Sequence, residues 1–399
     1  MKIAKRAAQI SPSLTLELTA KAKKLKAEGR DVVSFGAGEP DFNTPEYILN
    51  SAKDALDKGV TKYTPASGTV ELKSAICAKL KRDNGLEYKN EDIVISNGAK
   101  HSLANTFMAI IDDGDEVIVP APFWLTYPEL IRLAGGVPVI VNTTAQNGFK
   151  LTAEELKSAI TPKTKAIVLN NPNNPTGAVY TREEIFALAE VLEKTDIVVV
   201  SDEIYEVLNY SGKEIVSIAT YSQKLKDQTV IINGVSKTYA MTGWRIGFIA
   251  APTPVAKAIA NMQSHMTSNP NSIAQYATVT AYNSPEGEKF LAQMHQSFSR
   301  RRALIMEKLD ETGLPYIRPD GAFYVMVDVS SLFGKKYDGA LIESAHSLAT
   351  IMLDKTSTTV IPCESFGAPN YIRLSYATSD EDIVKGIDRI NDFIKNLGE

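Results

Sequence analysis

The stretch Gly234-Val-Ser-Lys-Thr-Tyr-Ala-Met-Thr-Gly-Trp-Arg245 brings a hydroxyl, an amine and a guanidinium close together between two short apolar runs, Thr229 to Asn233 and Arg245 to Ala251. Their length and β-branched content read as buried strands, so Lys237 is expected on a connecting loop at the mouth of a sheet. An isolated loop lysine is ordinarily a solvated charge. Here the small or hydroxylated neighbours Gly234, Ser236 and Thr238 let a ligand approach, and Arg245 supplies a second cation. An amine that can condense with an aldehyde, beside an arginine fork and a serine hydroxyl that can hold a phosphate, suits pyridoxal 5′-phosphate.

Three further stretches fit that ligand. Ile197-Val-Val-Val-Ser201 is the most apolar run and leads directly into Asp202-Glu-Ile-Tyr205. A carboxylate at the end of a buried strand is costly unless a cation or donor meets it. A pyridinium nitrogen would be such a partner for Asp202, with Tyr205 donating to the ring oxygen; a structural ion pair is the alternative. Asn97-Gly98 marks a strand-to-helix corner, where the free N–H groups around Gly98 and Ala99 form an anion site, although every strand–helix unit has such a corner. Trp124 follows a strand on a proline-bounded loop, and there an aromatic plate against a pyridine ring competes with plain packing on nearly equal terms.

Ser236-Lys237 together with Gly243-Trp-Arg-Ile-Gly247 resembles the cofactor-lysine motif of fold-type I pyridoxal-phosphate enzymes, specifically the class I/II aminotransferases. The resemblance runs from Ser34 to Thr378 and is nearest to bacterial aspartate aminotransferases of the Met-Thr-Gly-Trp-Arg form. It implies catalytic roles for Lys237, Asp202 and Tyr205, and cofactor contacts from Gly98, Ala99, Trp124, Asn174, Ser236 and Arg245. For the substrate it implies Gly38, Trp124 and Asn174, with Arg373 gripping the α-carboxylate and Lys100 the distal one. Tyr63 would reach the phosphate bound in a neighbouring subunit, which implies a homodimer with shared sites. The implied reaction moves the amino group of L-aspartate to 2-oxoglutarate in a ping-pong cycle, so the partners are amino acids and 2-oxo acids. Broad-specificity, aromatic or prephenate transamination and β-elimination stay open, because a fold does not fix the reaction. Relatives that accept prephenate carry a basic residue just before the first proline, and Ile10-Ser11-Pro12 offers none.

The elements that must position these residues alternate. From Asp92 onward strands and helical stretches follow one another, which implies an α/β fold with a mostly parallel sheet, seven-stranded if the family architecture holds, between helices. Asn170-Asn-Pro-Asn-Asn-Pro-Thr-Gly177 follows the carboxyl end of one strand, where open α/β sheets bind ligands. After Ala251 the pattern changes. Glu286 to Thr312 reads as one long helix with the arginine run Ser299-Arg-Arg-Arg302 exposed, and a helix near Gly339 to Asp354 and strands around Thr359 and Arg373 complete a small α+β unit. The helix expected over Ser13 to Gly29 joins that unit in the family architecture. The expected division is therefore 1–45 and 286–399 as a small domain built from both chain ends, with 46–285 as the large cofactor-binding domain.

Composition excludes other classes. In 399 residues, 44% hydrophobic, Lys+Arg 43 against Asp+Glu 47 gives a net charge of −4, with no basic tail, so neither nucleic acid nor an anionic membrane surface is an expected partner. The start, Met1-Lys-Ile-Ala-Lys-Arg, leads into polar sequence, and no apolar run reaches the length of a membrane span, which points to the cytoplasm. Cys77 and Cys363 form no paired motif and the four histidines have no ligand spacing, so no metal chemistry is expected.

Overall fold

The computed structural model describes residues 2–8, 10 and 14–398, without the side chains of 5, 6 and 14–16. Ser11 and Pro12, on which the argument about prephenate rests, and Ser13, expected to open the first helix, lie outside the described residues. A seven-stranded sheet forms the centre, in the order Ile93–Ser96, Gly247–Ala250, Thr229–Gly234, Val198–Asp202, Thr164–Asn170, Glu116–Ala121, Val137–Asn142. Gly247–Ala250 runs antiparallel to both neighbours, and the other pairings are parallel. The interior strands are near-continuous Val/Ile runs because helices cover both faces, leaving no polar side to the sheet. One layer includes helix Ala99–Ile110, whose Leu103 and Phe107 are fully buried against Val94, Val230 and Ile249. On the other face Ile185 and Leu188 of helix Arg182–Leu192 pack on Ile167 and Val199.

Register places the polar ends of the strands side by side. Asn170 pairs with Asp202, and Asp202 with Ile232, so the strand ends that carry Asn170, Asp202 and the Lys237 turn open on one edge. Lys237 itself differs from the expectation of a loop. It lies in a one-turn helix, Val235–Thr238, wound directly after the strand.

A second cluster buries Leu18 and Ala22 of helix Leu14–Ala27 with Val33, Phe35, Met294, Phe298, Leu374 and Phe393. Val33–Ser34 pairs in parallel with Thr358–Thr359, and Ser375 N–H donates to the Phe35 carbonyl, so N-terminal and C-terminal segments share hydrogen bonds as well as a core. The four-stranded antiparallel sheet here has the order Ile361–Pro362, Tyr371–Ser375, Tyr324–Asp328, Tyr316–Ile317.

Two expectations fail in this region. The helix placed at Gly339 to Asp354 begins only at Ala345 and runs to Thr356, because Lys336–Tyr337 and Ala340–Leu341 form a small hairpin first and Ser344 caps the helix that follows. The arginine run of helix Glu286–Asp310 is solvated only in part: Arg300 is exposed, but its neighbours are not. Arg301 is 9% exposed and holds both oxygens of Asp41 at 2.7 and 2.8 Å, while Arg302 pairs with Asp320 at 3.1 Å. Neither contact could be read from helical periodicity, because both partners lie on other elements. Among the described residues no helix is long and apolar enough to cross a membrane, and no three His, Cys, Asp or Glu residues are placed to hold a metal ion.

Candidate active site

A cavity of about 770 Å³ opens between the carboxyl edge of the large sheet, the Gly36–Glu39 loop and the C-terminal unit. Gly38, Ala99, Lys100, Trp124, Asn174, Asp202, Tyr205, Ser236, Lys237, Arg245 and Arg373 all line it. Residues from seven separate stretches of chain thus meet in one space. Gly98 and Tyr63 are not among its lining residues: Gly98 lies against the Arg245 guanidinium, and Tyr63 stands 91% exposed to solvent.

The lysine and the aspartate face each other across this space with opposite perturbations. Lys237 Nζ donates to the Gly38 carbonyl. Burial pulls its ammonium pKa down to about 8, with Arg373 and Arg245 adding to the fall and Glu39 and Asp202 opposing it. Asp202 is 3% exposed; its Oδ2 accepts from Tyr127 Oη at 2.6 Å and its Oδ1 from the Ile204 N–H at 3.3 Å. Burial raises this carboxyl to about 6, and the Tyr127 hydroxyl, the Ile204 N–H and Lys237 restrain the rise. An amine that is partly neutral near pH 7 and a buried carboxylate with one side-chain donor are the states expected of groups reserved for a ligand.

Arg245 and the Asn97-Gly98 corner form an anion cradle. Arg245 adopts φ 59°, a left-handed conformation that costs a residue with a Cβ about 1–2 kcal/mol. Its Nη1 donates to the Thr242 carbonyl at 2.7 Å and its Nη2 to the Asn97 carbonyl at 3.3 Å. Gly98 has φ +88°, and a Cβ there would come within 2.4 Å of Arg245 Nη2, so only glycine lets the guanidinium lie against the helix start. No side chain caps helix Ala99–Ile110 at Gly98, which leaves its first N–H groups facing the same space as Ser236.

At the opposite wall Arg373 is 3% exposed in strand Tyr371–Ser375. Its Nη1 donates to Asn174 Oδ1 at 2.9 Å, and its guanidinium lies 4.3 Å from the Tyr324 ring centre and 5.3 Å from that of Phe366. Its buried Nε has no partner, and no ion pair reaches it among the described residues. A desolvated cation with an open donor is an incomplete arrangement, and a planar anion would complete it. Lys100, exposed at the helix start, projects over the Trp124 indole at 4.9 Å from the ring centre, and partial burial and the Arg245 charge lower its pKa.

Three residues of the site escape sequence reasoning. Tyr127 supplies the one side-chain donor to the Asp202 carboxylate among the described residues; its spacing from Trp124, three residues on, is the available signal, and the two rings pack edge to face at 5.5 Å. Asn170 Nδ2 donates to the Asp202 carbonyl at 3.0 Å and its Oδ1 accepts from the Asn174 N–H at 2.9 Å, joining the strand end to the loop. Tyr324 shares a 3.0 Å hydrogen bond with Tyr205 between hydroxyls and lies against Arg373, and nothing in its local sequence announces this.

Known proteins share this architecture over its whole length. Aspartate aminotransferase of Bacillus subtilis (strain 168) is 48% identical over 396 residues, covering 99% of each chain. The crystal structure of the Rhizobium meliloti aspartate aminotransferase superposes with a TM-score of 0.95 at 41% identity, covering 100% of both chains. The Thermus thermophilus aspartate aminotransferase with maleate superposes at 0.93 and 42% identity, covering 98% of this chain and 100% of that one. Residues 30–390 match the family model described as aminotransferase class I and II, and the chain belongs to that family of enzymes.

Proposed function

We propose that the chain is an aspartate aminotransferase that uses pyridoxal 5′-phosphate to carry the amino group of L-aspartate to 2-oxoglutarate, giving oxaloacetate and L-glutamate. The observation that carries this reading is the convergence of a low-pKa lysine, a buried aspartate and an unpaired buried arginine on one cavity. The residues present fit the cofactor. Ser236, Arg245 and the uncapped N–H groups of the helix that Gly98 opens, from Ala99 on, would hold its phosphate, Asp202 its ring nitrogen, Tyr205 and Asn174 its ring oxygen, and Trp124 its ring face. Bound there, the cofactor supplies an electron-accepting ring that weakens the bonds at the substrate Cα.

The protein's own groups do the remainder. Lys237 would be the attachment point, and its Nζ, once free, would take and hold the proton from the substrate Cα. With a pKa of about 8, about a tenth of the amine is neutral at pH 7, against well under a thousandth at the ordinary 10.5. Asp202, ionised above about pH 6, presents the negative charge that keeps a ring nitrogen protonated. Arg373 offers its open fork to the α-carboxylate, which fixes the Cα–H bond relative to Lys237. Lys100 faces the distal carboxylate. That the Thermus relative is described with maleate, a dicarboxylate, supports two cations for a two-carboxylate substrate.

We place Tyr63 in the site of a second copy, its 91% exposure supporting a homodimer with shared sites. The shared core of the two chain ends supports the division at about residues 45 and 285, and the composition supports a cytoplasmic enzyme. The test is a panel of amino donors with 2-oxoglutarate as acceptor. Aspartate should be preferred; equal rates with alanine or phenylalanine would overturn the assignment of the substrate.

A further inference from the structure

The ladder between strands Val198–Asp202 and Thr229–Gly234 ends at the pair Asp202 and Ile232, with a last hydrogen bond from the Glu203 N–H to the Ile232 carbonyl at 2.9 Å. From there the two chains part, one into the turn that holds Tyr205 and the other into the turn that holds Ser236 and Lys237. Side chains span the gap where backbone pairing stops. Asn233 Nδ2 donates to Glu206 Oε1 at 2.8 Å, and Asn233 Oδ1 accepts from the Gly234 N–H at 2.7 Å. Glu206 is gripped in turn by Lys79 Nζ on Oε1 and by Asn84 Nδ2 on Oε2 at 2.8 Å. Lys79 also donates to Asn84 Oδ1 at 2.7 Å, and the Lys79 and Glu206 side chains are only 6% and 10% exposed.

Stability alone does not account for an ion pair here. Replacing a buried pair by well-packed apolar side chains is often neutral or favourable, so such a pair is weak evidence of a stabilising role. Its position is informative instead. On its other side the Lys237 turn is fixed by the sheet, since a Cβ on Gly234 would come within 2.8 Å of the Ile246 carbonyl and 2.9 Å of Gly247 Cα. We infer that Glu206, held by Lys79 and Asn84, is a positioning residue that sets, through Asn233, where the Lys237 turn stands relative to the strand end carrying Asp202. This deepens the aminotransferase reading and rests on it for its catalytic consequence.

Two variants separate positioning from folding. Asn233→Ala removes the strut and keeps the ion pair; Lys79→Met with Glu206→Leu replaces the pair by apolar bulk. In cofactor-free protein, the pH dependence of Lys237 acylation, read by peptide mapping, should have its midpoint near 8 in the native chain, where Glu39, Arg373, Arg245 and Asp202 face the amine. In both variants the turn loosens and water reaches the amine, so the midpoint should rise by about one unit. In the holoenzyme kcat should fall about tenfold to a hundredfold with KM for aspartate changed less than about threefold. A variant that unfolds at the native temperature and keeps the native labelling midpoint overturns the inference. Absence of amino transfer by the native protein would refute the aminotransferase reading instead, and would leave the labelling comparison intact.

Discussion

Lys100→Ala tests the substrate assignment, because most groups in the cavity would serve any amino acid and this one has work only with a second carboxylate. Its ammonium lies over Trp124 at 4.9 Å and beside Arg245, with no ion pair among the described residues, and at a helix start its charge opposes the helix dipole. A charge-assisted contact is worth roughly 1.5–3 kcal/mol when well shielded. Lys100 is exposed, so solvent screening argues for the lower half of that range, roughly 1.5–2 kcal/mol or about a tenfold to thirtyfold effect. The substitution should lower kcat/KM for aspartate and glutamate by that factor and leave alanine and phenylalanine within about twofold. Steady-state kinetics with the four donors and a common acceptor give the comparison. An equal fall for all four would mean that Lys100 supports the anion cradle beside Arg245, and the reasoning from two carboxylates would fail.

Other expectations are as direct. Lys237→Ala should still bind the cofactor through its phosphate contacts but lose nearly all turnover; borohydride treatment of the native holoenzyme should fix the cofactor on Lys237, and label on another lysine would refute the assignment. Lys237→Met should stabilise the cofactor-free chain at pH 7. The native amine falls from 10.5 to about 8 on folding, so its buried charge costs stability below about pH 8 and costs nothing above 10.5, and the gain in Tm should shrink across that interval. Tyr127→Phe removes the hydroxyl that restrains a carboxyl already raised by burial to about 6, so Asp202 should titrate higher and cofactor retention on dialysis should weaken, by about tenfold near pH 7. Unchanged retention would mean that Asp202 does not depend on that hydroxyl. Mixed dimers of an inactive Lys237→Ala subunit with a damaged Tyr63 variant should regain activity, and no rescue in demonstrably mixed dimers would count against shared sites.

Much of the site was legible because its residues sit where local sequence already constrains the chain. Asp202 ends an apolar strand, Gly98 turns a strand into a helix, and Lys237 and Arg245 flank one short segment, so type and spacing single these positions out and the family resemblance chooses among their alternatives. Tyr127, Tyr324 and Asn170 act through contacts set by strand order and by the packing of the C-terminal unit, and no periodicity encodes these. The same limit misplaced Arg301, because an arginine on a helix looks solvated until the Asp41 loop folds over it. The start of helix Ala345–Thr356 was missed for a local reason: the hairpin before it competes for residues that have acceptable helical spacing, and the Ser344 cap decides the boundary. Nothing local marks Glu206, although it lies next to Tyr205, since its partners come from a helix at residues 70–84 and a strand at 229–234.

The most direct test of the central claim follows the nitrogen itself. Purified protein loaded with pyridoxal 5′-phosphate is given aspartate labelled at its amino nitrogen together with 2-oxoglutarate. The account predicts that the label appears in glutamate in step with oxaloacetate formation, without free ammonia, and that Lys237→Ala abolishes the exchange. Label released as ammonia, or exchange that survives the loss of Lys237, would contradict it.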